Sequence, residues 1–237
     1  MTKPAIVLVH GAFHGGWCYR KVDDVLSARG YRVYRPTLTG LSDRSHLLKP
    51  EIDLYTHADD VINLAKYEDL DDIVLCGHSY GGAVITAAAE GLDGRLRSMV
   101  FLDALVPTAG KTILEEWPAA QKDYFDSGAA AHGGHYLPPI AASVFKVIPS
   151  EQAWVDRNCT LQPYQTFKTK IKSTAVRDKH KRKIYVFASG YNSPLLGALA
   201  ERERGKPDWE VVNIDAGHDV MVDAPEALAD VLVHAAR

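Results

Sequence analysis

The chain has 237 residues, 46% hydrophobic and 24% charged, which suits one large domain around a sizeable core better than two small ones. Lys plus Arg number 27 against 30 Asp plus Glu, a formal charge of -3 that excludes the electrostatic footprint of a nucleic-acid binder. Three scattered cysteines (Cys18, Cys76, Cys159) and an N-terminal apolar run of only six residues argue against a disulfide framework, a zinc knuckle, a signal sequence and a membrane span; a soluble cytoplasmic protein with no membrane contact is expected.

Short apolar runs then alternate with amphipathic ones. Ala5 to Val9 precedes Trp17 to Arg29, Arg32 to Tyr34 precedes Tyr55 to Ala65, and Ile73 to Cys76 precedes Gly82 to Glu90. Met99 to Leu102 continues the rhythm; after an interruption it resumes with Ile184 to Ala188, Pro194 to Arg204, Glu210 to Ile214 and Pro225 to His234. Continuous apolar strands predict an α/β fold with six parallel strands and helices on both faces. The interruption, rich in proline and aromatic residues and weakly periodic, predicts a cap at 107–182 inserted into a core formed by 1–106 and 183–237. The basic run Arg177 to Lys183 reads as a solvated segment ahead of a strand.

One corner in this rhythm carries chemistry. Gly77-His78-Ser79-Tyr80-Gly81 matches G-x-S-x-G between a buried-type strand and an alanine-rich helix, the setting in which a serine is lifted out as a nucleophile. A hydroxyl attacks a carbonyl poorly unaided, so a base and oxyanion donors are required. His218, in "IDAGHDV" between the last strand and the last helix, is the expected base. The glycine-rich "VHGAFHGGW" loop and the residue after the serine supply backbone N–H groups from Ala12 and Tyr80, with Phe13 as second choice. His10, His14 and His78 flank the site and read as structural. His132 and His135 lack a third ligand, so no metal is expected.

The segments "LVHGAFHGGWCY", "YRPTLTGLSDRSHL", "GHSYGG", "VFLDALVP" and "DAGHDVMVDAPEALADVL" together resemble the α/β-hydrolases, in the branch of bacterial esterases and pyrethroid hydrolases related to plant methylesterases and hydroxynitrile lyases. The resemblance implies a cofactor-free serine hydrolase with Ser79, His218, Ala12 and Tyr80 in the roles above, and a homodimer. Two departures matter. Plant members carry the acid after the strand matching Ile184 to Ala188, where this chain has Tyr191 and Asn192; Asp103, after the preceding strand, is the expected replacement, with Asp215 and Asp219 as alternatives. The cyanogenic relatives place a threonine where this chain has Gly11 and a lysine where it has Asp219, so an ester or lactone fits better than a cyanohydrin. Phe13, Trp17 and Tyr80, with the cap residues Trp117, Tyr124, Phe125 and Trp154, are candidates for an apolar substrate pocket. Asp43 and Arg44 read as loop-fixing. The rival readings are a ligand receptor on the same fold with little turnover, and a carbon–carbon bond hydrolase or lyase.

Overall fold

The computed structural model describes residues 3–237. Its strands, in chain order, are β1 (Ala5–Val9), β2 (Arg32–Tyr34), β3 (Ile73–His78), β4 (Leu96–Leu102), β5 (Tyr136–Leu137), β6 (Gln162–Pro163), β7 (Lys183–Ala188) and β8 (Trp209–Ile214). Six of them form one sheet in the order β2-β1-β3-β4-β7-β8, every pair parallel. The other two make a short antiparallel ribbon between β4 and β7 in the chain.

The unbroken apolar runs have a direct physical cause. Along β1, Ala5, Val7 and Val9 enter one core cluster, while Ile6 and Leu8 enter the cluster on the opposite face. A strand covered on both sides has no solvent face on which to place polar residues. Helices α2 (Leu54–Tyr67) and α3 (Gly81–Ala89) pack on the first face; α1 (Arg20–Ala28) and the helix Pro225–Ala235 cover the second. Asp53 opens α2 through a capping box with Thr56, which satisfies backbone donors that the first turn leaves free.

The element predicted from Trp17 to Arg29 is a 3₁₀ turn at Gly16–Tyr19 followed by α1. The basic run is also less solvated than expected. Val176 and Arg177 are buried in a short helix, Ala175–Lys179, where the Arg177 guanidinium donates to the Pro107 carbonyl at 2.6 Å, and Lys183 is buried as the first residue of β7. Long aliphatic stems let these cations cover apolar surface while their heads find acceptors. Cys18 and Cys76 are buried and Cys159 half-buried, all as free thiols, and burial pushes the Cys76 thiol up to about 12. Among the described residues no helix is long and apolar enough to cross a membrane.

Candidate active site

Parallel strands deliver their carboxyl ends to one rim, and the loops after β1, β3, β4, β7 and β8 meet there. Ser79 sits between β3 and α3 with φ +52, a left-handed conformation that side chains rarely adopt. The flanking glycines make the turn feasible: a Cβ on Gly77 would lie 2.4 Å from the Gly81 carbonyl oxygen, and one on Gly81 would lie 2.7 Å from those of Val9 and His10. The Ser79 N–H donates to the Leu102 carbonyl (3.1 Å), and its own carbonyl accepts from Leu105 N–H (3.0 Å). The turn is thus tied to the end of β4, beside Asp103.

Asp103 is fully buried and also left-handed, with φ +41. Its Oδ1 accepts from the Ala188 N–H at 3.1 Å, and its Oδ2 lies 2.7 Å from His218 Nδ1. A carboxylate accepts only, so the proton of His218 is on Nδ1 and the Nε2 lone pair is free, the tautomer a general base needs. The backbone of His218 is pinned from both sides: its N–H donates to Phe145 O (2.9 Å) and its carbonyl accepts from His78 Nε2 (3.0 Å). The rings of Phe145 and Tyr191 each lie 5.0 Å from the imidazole. Of the alternative acids, Asp215 is exposed, whereas Asp219 is buried but points to His14 Nε2 at 3.0 Å.

Ala12, Ser79, Tyr80 and His218 all line one cavity of about 380 Å³. Phe13, Trp117, Phe125, Phe145, Phe167 and Tyr191 provide much of its apolar wall, while Tyr124 and Val144, both largely exposed, mark its rim. This size and lining suit a small organic ligand. The Phe13 N–H is engaged by Gln162 Oε1 (3.2 Å) and the Phe13 carbonyl by Thr160 N–H (2.9 Å), so the segment at β6 grips the first loop one residue beyond Ala12. The Tyr80 hydroxyl donates to His57 Nδ1 (3.0 Å), whose Nε2–H donates to Thr39 O (2.9 Å), which anchors the side chain whose backbone N–H follows the serine. Arg44 bonds Asp60 and the Thr37 carbonyl, holding its loop in place.

Two aromatic expectations are corrected. Trp17 is not part of the cavity: its 3₁₀ turn carries it behind His14, on which it stacks at 5.2 Å, and it meets Trp154 edge-on at 4.9 Å. Trp154 is likewise absent from the cavity wall, whereas Phe13, Tyr80, Trp117, Tyr124 and Phe125 contribute to it. Phe145, Phe167 and Gln162 escaped sequence reasoning because nothing in their weakly periodic segment marks them. Tyr191 did carry a signal, since it stands where the resemblance to the plant members leads one to expect a carboxylate. His132, considered above for a metal, instead bonds the Gly128 carbonyl through Nδ1 (2.8 Å).

Gly11 explains one sequence departure physically. A Cβ there would lie 2.8 Å from His78 Nδ1 and 3.0 Å from Ser79 Cβ. Gly11→Thr is therefore expected to destabilise the fold by about 1–3 kcal/mol through overpacking and to displace Ser79, measured as a lower denaturation midpoint.

The profile of the Alpha/beta hydrolase family matches residues 6–231. The chain is 40% identical over 234 residues, 95% of it and 97% of the relative, to the carbendazim hydrolyzing esterase of Nocardioides sp. (strain SG-4G). It is 36% identical over 115 residues, 47% of it and 40% of the relative, to the pyrethroid hydrolase of Sphingobium wenxiniae. Its fold superposes on an extracellular alpha/beta-hydrolase from a Paenibacillus species with a TM-score of 0.85, at 19% identity and over 99% of each chain.

Proposed function

The chain belongs to the alpha/beta hydrolase family, and from that premise we propose that it hydrolyses carboxylic esters of small to medium apolar substrates, lactones included, through an acyl-enzyme on Ser79. The observation that carries this reading is the 2.7 Å contact between His218 Nδ1 and Asp103 Oδ2 at the wall of the cavity that Ser79 also lines. Names of relatives that hydrolyse carbendazim and pyrethroids support ester cleavage as the reaction class.

In this mechanism His218 Nε2 takes the proton of Ser79 Oγ as the oxygen attacks the ester carbonyl. The N–H groups of Ala12 and Tyr80 bind the oxyanion; Phe13 is a poorer donor because Gln162 already engages it. His218 then protonates the leaving alkoxide, water attacks the acyl-enzyme through the same ring, and the carboxylic acid departs. Asp103 holds the imidazole in its productive tautomer and stabilises its cation. Water is the only co-reactant. Residues 107–182 act as the cap, contributing Trp117, Phe125, Phe145 and Phe167 to the acyl and alcohol subsites.

A cyanide-releasing lyase is disfavoured on two counts. The Gly11 position has no room for a hydroxyl-bearing side chain, and the residue after the base is a buried carboxylate where a cation would be needed to stabilise a departing cyanide. The test is chemical trapping: acid quench during turnover of a p-nitrophenyl ester should leave the acyl mass on the peptide containing Ser79. Steady product release with no acyl group on that peptide would refute the acyl-enzyme.

A further inference from the structure

The mechanism leaves unused a second buried histidine–carboxylate contact. His14 is 2% exposed and Asp219 is 0% exposed, and they come from opposite ends of the chain. His14 Nε2 lies 3.0 Å from Asp219 Oδ2, and His14 Nδ1 lies 2.8 Å from the Ala12 carbonyl oxygen. A backbone carbonyl and a carboxylate are both acceptors, whereas a neutral imidazole owns a single N–H. If the ring were neutral and the carboxyl ionised, one of these short contacts would set lone pair against lone pair. The ring is intrinsically the stronger base by roughly 2.6 pK units, so the shared proton belongs on it.

We propose that His14 and Asp219 form a permanent imidazolium–carboxylate pair that positions the Ala12 loop and electrically neutralises the carboxylate one residue beyond His218. His14 is on this view a positioning residue for the ester hydrolysis proposed above. Its Nδ1–H fixes the peptide that follows Ala12, and its Nε2–H ties that loop to the loop of the base. The second task is electrostatic. Asp219 Oδ1 has no hydrogen-bond partner and lies 3.8 Å from His78 Nε2, which itself bonds the His218 carbonyl. Left unpaired, such a charge would favour the imidazolium form of the neighbouring base before substrate arrives, and a protonated base cannot accept the Ser79 proton. The His14 cation cancels most of that field.

The surrounding groups fit this assignment. On the cation's side the titratable neighbours are His10 and His78; burial lowers His10 to about 3 and holds His78 well below the usual histidine range. Both are therefore neutral. On the carboxylate's side stand His78, His218, Cys18, Cys159, Tyr19, Tyr191 and Asp223, and burial pushes both thiols and both phenols up into their neutral form. Burial opposes charge on His14 as well, yet the charge and hydrogen bond of Asp219 outweigh it and raise its affinity for the proton.

Nitrogen-15 NMR of the histidine rings tests the pair without reference to turnover, with His14 assigned by its loss in His14→Gln. At pH 7.5 His14 is expected to carry protons on both nitrogens, and in Asp219→Asn to lose one. A singly protonated His14 in the wild type overturns the proposal. Kinetics supply the second arm: in His14→Gln the acid limb of kcat/KM for p-nitrophenyl acetate should move up by about one pH unit. Adding Asp219→Asn should return it to or below the wild-type position. A role in packing alone would lower the rate and leave the limb in place, and a folded His14→Gln protein with an unmoved limb overturns the electrostatic part. If His14→Gln does not fold, His14 is assigned by through-bond correlation of its ring to its own backbone, and the spectra of the wild type and Asp219→Asn decide. If instead the ester hydrolase reading fails, no ester is turned over, and the spectra still report on the pair.

Discussion

Ser79→Ala is expected to lower kcat/KM for a p-nitrophenyl ester by on the order of 10⁶-fold while leaving the protein folded. The loss is large because the proposed route has no second nucleophile: the base and oxyanion donors can still polarise a bound ester, but no covalent intermediate forms. The fold should survive because the backbone bonds of residue 79 to Leu102 and Leu105 do not involve its side chain, and alanine meets the same left-handed backbone demand as serine. Circular dichroism and a denaturation midpoint check the fold, and a stopped assay at high enzyme concentration checks the residual rate. Activity within tenfold of the wild type would remove Ser79 from the chemistry.

Asp103→Asn is expected to cost ~10⁴-fold in kcat, and the geometry says why. The Ala188 N–H needs an acceptor at 3.1 Å, so an asparagine would keep its amide oxygen there and turn its NH₂ toward His218. The ring would then have to accept at Nδ1 and carry its proton on Nε2, the wrong tautomer for taking the Ser79 proton. The comparison with other carboxylates is decisive. Asp215→Asn, at an exposed position, should be near neutral. Asp219→Asn should act through His14 and the pH profile rather than through a collapse of kcat. A rate for Asp103→Asn within tenfold of the wild type would exclude it as the acid.

The split between legible and illegible features follows from what a local pattern encodes. Strand β1 was readable because five consecutive buried residues have one cause, a sheet covered on both faces. Ser79 and His218 were readable because a strand-to-helix corner and a strand-end loop are local events that leave glycines and a switch of periodicity in the chain. Asp103 is approachable by the same logic, since it directly follows β4, but Asp215 directly follows β8 and Asp219 adjoins His218, so placement alone ranks the three without fixing which one meets the imidazole. Trp17 reads as a pocket residue because it is a large aromatic in the first strand-end loop, and the 3₁₀ turn at Gly16–Tyr19 sets its ring against His14 and Trp154 instead.

The sequence alone determined the parallel α/β architecture, the corner holding Ser79, and the strand-end loops that carry Ala12 and His218, because periodicity and glycine spacing record burial and backbone demand residue by residue. Only the tertiary structure decided which carboxylate faces His218, that the other buried one pairs with His14, and that Phe145, Phe167 and Tyr191 line the cavity. Those are choices of partner between residues up to 205 positions apart, and a pattern that records burial carries no record of which buried group meets which.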